Sequence, residues 1–328
     1  MPSYPGGLSF ERIVVPTPYA VGPANVYVFT ADPITLFDCG PNTPSTENAL
    51  MLGLASIGLG PEQIARIVIS HGHPDHYGMA PRLREISGAQ ILVGELDLPK
   101  LADPSMLVAT GRLLLQAGMP MEELVEIGER ERKLGPGIRP EIEEAGVFRG
   151  GERLSFEGFE LEVLHLPGHT AGHICLYHRE SGVLFSGDTL LLDISPNPLI
   201  EPDPMDPTER RRSLIEYLAS LDKLSRLTLA TVFPGHGPPI EDPPTVIGEM
   251  RSHHRQRTEV LARLLDDEGK SGWQLANELF PRLEGFDNFL AVSEVVAHID
   301  LLVERGQAEP VERDGITYYR RHRPAAAR

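Results

Sequence analysis

The chain has 328 residues and a mass of 36.1 kDa, room for about two domains, and its 41% hydrophobic and 23% charged content is that of a globular rather than a disordered protein. Lys plus Arg number 30 against 47 Asp plus Glu, and the resulting charge of −17 repels nucleic acid and anionic lipid at long range. No run approaches the roughly 18 apolar residues of a membrane span, and the N-terminus lacks the basic-then-apolar order of a signal peptide, so a cytoplasmic protein is expected, with Cys39 and Cys175 as free buried thiols.

Strands are predicted at residues 12–16, 24–30 and 35–38, the last running into a Cys-Gly-Pro turn. A helix over 46–57 follows, with Thr43 or Ser45 as its N-cap. Residues 65–70 (ARIVIS) read as a short apolar strand of the buried kind and lead straight into His71-Gly72-His73-Pro74-Asp75-His76. Pro74 suits the first turn of a helix continuing to about Ile86, and residues 90–93 return to strand. Between 103 and 131, Leu and Met recur at helical spacing, which predicts two helices split near 117–120. Such a stripe is core packing in one reading; in the other it is a lid whose apolar side chains contact a substrate.

After a Gly/Pro/Glu-rich loop, strands at 153–156 and 160–165 lead to Pro167-Gly168-His169-Thr170, and strands at 173–177 and 183–186 deliver Gly187-Asp188-Thr189. A helix over about 208–224 precedes a strand at 230–234 that ends at Gly235-His236-Gly237. The composition then changes at 241–244. Helical patterns follow at 246–267, after Ser271 (a capping box with Gln274) and at 289–305, and a hairpin at 311–319 turns around Asp314-Gly315. Three helices and a β-wing is the layout of a winged helix, so the expected domains are 1–243 and 244–328.

The chemistry-bearing side chains sit just after strands. His71 and His73 alternate on an extended loop, so both imidazoles can face one way; Asp75 and His76 open a helix; His169, Asp188 and His236 arrive from three other strand ends. Five His and two Asp without thiolate suit Zn²⁺ and tolerate Mn²⁺ or Fe²⁺. Seven ligands are too many for one tetrahedral ion and about right for two ions sharing a carboxylate.

These motifs, in this order over most of residues 10–240, resemble the metallo-β-lactamase superfamily. The resemblance implies an α/β fold, an αββα sandwich of two mixed sheets flanked by helices, with metals at the strand ends along one edge. It assigns His71, His73 and His169 to one ion, Asp75, His76 and His236 to a second, and Asp188 to a bridge between them. Asp38, ending the segment TLFD, becomes a structural residue that orders the metal-binding loop. The P-G-H-T-A-G-H and S-G-D-T-L-L segments and the C-terminal layout are similar to the subgroup around β-lactamase-like protein 2, whose members are described as hydroxyacylglutathione-hydrolase-like or as single-strand endoribonucleases. The chain departs from that pattern in the 93 residues separating His76 from His169 and in lacking a recognisable basic glutathione-binding cluster.

A dinuclear site of this kind implies a metal-bridging hydroxide that attacks a carbonyl carbon or a phosphorus. Asp75 would orient the nucleophile, and His173, in the loop of His169, is the candidate to protonate the leaving group, a structural hydrogen bond being its other reading. Tyr77 and Ser195 are weaker candidates for lining the pocket. A nuclease needs a cationic groove with stacking surfaces, and four Lys and one Trp supply little of either. Residues 244–328 carry 12 Lys plus Arg against 14 Asp plus Glu, a balance of −2 that leaves −15 on the rest. The third C-terminal helix bears Glu294, Asp300 and Glu304 against Arg305, while basic residues gather at Arg251, Arg255 and Arg257 and at Arg320, Arg321 and Arg323. A packing or homodimerising module is favoured over nucleic-acid recognition. The expected activity is hydrolysis of a small ester, thioester or lactone with two Zn²⁺, the alternative being a phosphodiesterase or single-strand endoribonuclease.

Overall fold

The computed structural model describes residues 4–135, 137–192, 194–196 and 198–322; Arg323 of the C-terminal basic group lies outside them. Strands β1 (Phe10–Val15), β2 (Ala24–Phe29), β3 (Thr35–Phe37), β4 (Arg66–Ile69), β5 (Gln90–Gly94) and β6 (Gly146–Phe148) form the first sheet in sequence order, antiparallel from β1 to β3 and parallel from β3 to β6. The second sheet runs β11 (Thr231–Pro234), β10 (Val183–Gly187), β9 (Ile174–His178), β8 (Phe159–His165), β7 (Arg153–Phe156), with only β10 and β11 parallel.

The period of two along each strand builds the layers. In β2, Tyr27 and Phe29 face the second sheet while Val26 and Val28 face the outer helices; in β9, Ile174 and Leu176 face inward and Cys175 and Tyr177 outward. Both sheets are therefore buried on both faces, which requires a helical layer on each side. In chain order the helices are α1 (Pro44–Ser56), α2 (Pro74–Tyr77), α3 (Ala80–Ser87), α4 (Leu98–Ala102), α5 (Ser105–Gln116), α6 (Met121–Lys133), α7 (Ser213–Leu224), α8 (Pro243–Leu264), α9 (Gly272–Leu279) and α10 (Phe286–Glu304). Leu50 and Leu54 of α1 and Leu83 of α3 cover the first sheet; Leu214, Tyr217 and Leu221 of α7 cover the second. Phe10, Tyr27, Phe29, Phe185 and Phe233 meet mostly edge-to-face between the sheets.

The C-terminal extension places α8, α9 and α10 against a three-stranded sheet ordered β12 (Lys270–Ser271), β14 (Ile316–Arg321), β13 (Ala308–Arg313). The hairpin turns at Asp314, which takes the positive φ such a turn demands, and Ser271 and Gln274 form the expected capping box. The extension is fused to the sandwich: Ala297 and Leu301 of α10 share a core with Tyr217 and Leu221 of α7.

Several boundaries differ from the sequence expectation. The helix drawn from Pro74 to Ile86 is split into α2 and α3: Pro81 has no amide to continue the ladder and instead opens α3, and the loop carrying Cys39 and Gly40 crosses at the break, hydrogen-bonding both sides of it, with Gly78 leaving room for the Asn42 amide. Strand β6 and helix α4 lie where only loop was expected, α7 starts at Ser213 rather than near 208, and α8 starts at Pro243 because the Asp242 side chain caps it. Helices α5 and α6 separate at residues 117–120, as the spacing predicts. Leu113 and Leu114 of α5 are core, packed with Leu261, Leu275 and Val296, whereas Met106, Leu107 and Thr110, nearer its start, line a small cavity.

Candidate metal centre

The loops after β4, β8, β10 and β11 converge at one end of the sandwich. Asn25 binds the last of them to β2, its side-chain amide donating to the carbonyls of Pro234 and Gly237 at 2.8 and 2.9 Å. The Ile174 amide donates to the Ser70 carbonyl at 2.9 Å and so joins the two sheets beside the site. All seven predicted ligands meet in this space. His71 Nε2 and His169 Nε2 each lie 3.0 Å from His73 Nδ1, forming one triad of nitrogens. His76 Nε2 is 3.2 Å from His236 Nε2, which is 3.4 Å from Asp75 Oδ2, forming a second triad. Asp188 stands between them, with Oδ1 at 3.5 Å from His76 Nε2 and Oδ2 at 3.7 Å from His169 Nε2 and 3.6 Å from His236 Nε2.

A layer of hydrogen bonds sets the tautomers. Asp38, buried and in the left-handed region (φ 62°), accepts from the Ser70 amide at 2.7 Å, the Ser70 hydroxyl at 2.8 Å and His76 Nδ1–H at 2.8 Å. Because the Ser70 hydroxyl donates to Asp38, its oxygen accepts from His71 Nδ1–H at 2.9 Å. His236 Nδ1–H donates to the Pro23 carbonyl at 2.9 Å. In their neutral forms His71, His76 and His236 therefore turn bare Nε2 lone pairs toward the centre. Lone pairs opposed at about 3 Å in a buried space need a cation between them. The Asp188 Oδ1 atom is likewise buried without a hydrogen-bond partner among the described residues. Burial alone would raise the Asp188 carboxyl and lower His76, but each is driven strongly the other way, Asp188 by His236 and His76, and His76 by Asp188, Asp38 and Asp75. An all-N/O donor set of this geometry fits divalent ions of the zinc, manganese or iron kind.

His173 is brought to the site but behind it. Its Nε2 accepts from the Asp188 amide at 3.1 Å and its Nδ1–H donates to the Thr189 hydroxyl at 3.1 Å, while burial holds the ring neutral. Both nitrogens are committed to protein groups, which leaves no proton directed at a leaving group. The other two weak candidates lie elsewhere: Tyr77 packs in the core under the first sheet, and the Ser195 hydroxyl hydrogen-bonds His254 Nε2 at 3.0 Å in the C-terminal extension.

Four residues near the site carry no motif and escaped sequence reasoning. Asp97 accepts from the Gly72 amide at 2.7 Å, the Gly172 amide at 2.6 Å and the Thr170 hydroxyl at 2.6 Å, tying the His71–His73 loop to the His169 loop. Glu201 is buried between Lys100 and Arg211, pairing with Arg211 at 2.9 Å and with Lys100. Burial raises its carboxyl, yet Lys100 and Arg211 hold it below the ordinary range, so it stays ionised. The small cavity beside this pair is lined by Leu96, Met106, Leu107 and Pro204 together with Asp97, Lys100, Thr110 and Glu201 itself.

Residues 19–236 match the metallo-beta-lactamase superfamily. The chain belongs to that family. Its relatives include the probable metallo-hydrolase YqjP of Bacillus subtilis, 32% identical over 296 residues (88% of this chain and 91% of YqjP). The beta-lactamase-like protein 2 homolog of Caenorhabditis elegans is 25% identical over 268 residues, 81% of this chain and 73% of its own. Hydroxyacylglutathione hydrolase GloC of Haemophilus influenzae is 31% identical over 125 residues, 38% of this chain and 49% of GloC. Among solved structures, the metallo-beta-lactamase family protein TTHA1429 from Thermus thermophilus aligns with a TM-score of 0.82 at 31% identity, covering 97% of this chain and 99% of that one. The superfamily resemblance and the α/β sandwich drawn from the motifs hold. The protein is a metal-dependent hydrolase of the metallo-beta-lactamase superfamily, and no helix among its described residues is long and apolar enough to cross a membrane.

Proposed function

We propose that the protein hydrolyses a small ester, thioester or lactone at a dinuclear centre, with His71, His73 and His169 holding one ion, Asp75, His76 and His236 the other, and Asp188 bridging. The observation that carries this reading is the carboxylate of Asp188, which faces both triads at once. Two divalent ions, zinc by preference and manganese or iron by the same donor chemistry, would supply a water-derived nucleophile at neutral pH and a Lewis acid for the substrate oxygen. Asp75, its carboxylate 3.4 Å from His236 Nε2, orients the attacking water by accepting its hydrogen bond. His173 acts as a positioning residue: by accepting from the Asp188 amide it fixes the bridge rather than moving a proton.

A small acyl substrate is supported by the small cavity beside Glu201, whose lining mixes apolar side chains such as Met106 and Leu107 with Lys100 and Asp97, and by the net charge of −17, which works against capture of a polyanion. The thioester option has the added support of the partial likeness to a hydroxyacylglutathione hydrolase. We assign residues 244–328 to a winged-helix-like domain with a packing role. Helix α10, the helix such a module would present to a nucleic-acid groove, is buried from Ala291 to Leu302 apart from the partly exposed Glu294, and its Asp300 is spent on an ion pair with Arg210. The test is to measure bound metal and then assay thioesters, lactones, a β-lactam and single-stranded RNA side by side. Carbonyl turnover lost in His71→Ala supports the reading. Turnover of RNA alone, abolished by the same substitution, refutes it.

A further inference from the structure

We infer that Glu201 is the positioning partner of His73, held in that role by Lys100 and Arg211; this rests on the assignment of His71, His73 and His169 to one ion. Three of the other ligands turn their outer nitrogen to a fixed acceptor, His71 to Ser70, His76 to Asp38 and His236 to Pro23, while the outer Nδ1 of His169 is buried without one among the described residues. His73 is oriented the opposite way. Its Nδ1 points into the triad, so the proton sits on Nε2, which is buried and has no hydrogen-bond partner among the described residues. A carboxylate oxygen waits 4.0 Å from that nitrogen, Oε1 of Glu201. A movement of about 1 Å by a glutamate side chain brings such a pair to hydrogen-bond distance. A carboxylate accepting the outer proton of a ligand imidazole fixes its orientation and raises the basicity of the ligating nitrogen.

The surroundings hold Glu201 for this task. Arg211 grips Oε2 at 2.9 Å and is itself paired with Glu216, while its amide donates to the Glu201 carbonyl at 3.0 Å. Lys100 grips Oε1 after its stem has crossed the metal-binding loop: a Cβ at Gly72, between His71 and His73, would lie 3.3 Å from Lys100 Cδ. Two cations on one buried carboxylate keep it charged beside a neutral imidazole. The neighbouring Arg210 is paired with Asp300 of α10, which anchors the clamp in the C-terminal extension.

The test is titration of the full-length protein with Zn²⁺ and Co²⁺ in competition with a chromophoric chelator. Wild type is expected to bind two ions. Glu201→Ala is expected to lose about 10- to 100-fold in affinity at one site while the other is unchanged, and Glu201→Gln, which keeps an acceptor oxygen, is expected to lose less. In a His169→Ala background, which already lacks the first site, Glu201→Ala should bring no further loss at the remaining one. Unchanged affinities, or an equal loss at both sites, overturn the inference. If Glu201→Ala does not fold by circular dichroism, Glu201→Gln decides on the same criterion. A wild-type protein that binds no ion refutes the dinuclear reading itself, a separate outcome.

Discussion

Asp38→Asn isolates the tautomer control of the metal centre. Asn matches Asp in volume and tolerates the left-handed backbone at this position (φ 62°), so neither packing nor strain changes. What changes is polarity. The native carboxylate accepts three hydrogen bonds and donates none: from the Ser70 amide, the Ser70 hydroxyl and His76 Nδ1–H. An amide NH₂ must replace one of the two oxygens. Facing the Ser70 amide, it sets donor against donor and forfeits a charge-assisted bond, at a cost of about 2 kcal/mol. Facing His76, it drives that ring to the tautomer with the proton on Nε2, the atom directed at the metals, in the way a displaced tautomer disables a catalytic triad. The expected outcome is a stability loss of about 2 kcal/mol in urea and a roughly 10- to 100-fold weaker affinity at the His76 site by chelator competition. Two ions bound with wild-type affinity would refute the argument that Asp38 sets the tautomers.

Three further outcomes follow from the geometry. A Cβ on Gly94 would stand 1.8 Å from the Gly172 carbonyl oxygen, a backbone atom that cannot yield, so Gly94→Ala should destabilise by about 3 kcal/mol or more in urea; a change under about 1 kcal/mol would contradict it. Helix α5 has two roles that separate by position: Leu114→Ala should cost about 2–5 kcal/mol of stability, whereas Leu107→Asp, at a half-exposed side chain on the cavity, should leave stability within about 0.5 kcal/mol and raise KM for apolar acyl substrates. Acid stability should respond to the buried pair His254 and His298. His298 Nδ1–H donates to the Glu294 carbonyl, and His254 Nδ1–H donates to His298 Nε2, so a proton added to His298 meets another N–H. Burial lowers the pair to about 3 (His254) and about 4 (His298) from an ordinary 6.5. Their native forms hold fewer protons than the unfolded chain, so this stability is complete above pH 6.5 and falls away toward pH 4, by about 3 kcal/mol for His298 alone. Urea midpoints of the His298→Asn and His298→Gln variants that keep the full wild-type slope between about pH 6.5 and 4 would exclude this origin.

Much of the fold was legible because strand patterns carry their own punctuation. Alternating or fully apolar runs bounded by turn residues located ten of the eleven sandwich strands among the described residues, four of them leading into Ser-His, Pro-Gly-His, Gly-Asp or Gly-His motifs, and the order of those motifs identified seven side chains that the fold then gathers around one point. Strand β6 escaped because three residues, Gly146–Phe148, hold no periodicity of their own; they are extended because β5 offers a parallel edge to pair with. The break between α2 and α3 carried a local signal that a helix drawn straight on from Pro74 overlooks: Gly78 is a poor helix former and Pro81 has no amide to give to the Tyr77 carbonyl, so a new helix starts just before it, where the loop of residues 39–42 crosses.

What the sequence determined by itself is therefore what short-range chemistry encodes: the donor types, their attachment to strand ends, the family and the outline of the layers. The roles of single polar residues came only from tertiary structure. His173 and His169 share a loop, yet one ring faces the centre and the other holds the Asp188 backbone. Asp97, Lys100, Glu201 and Arg211 follow no spacing rule, because the bonds that give them meaning join chain segments up to about a hundred residues apart. A hydrogen bond or ion pair depends on proximity to within a fraction of an ångström, and proximity across that distance in sequence exists only once both sheets are packed.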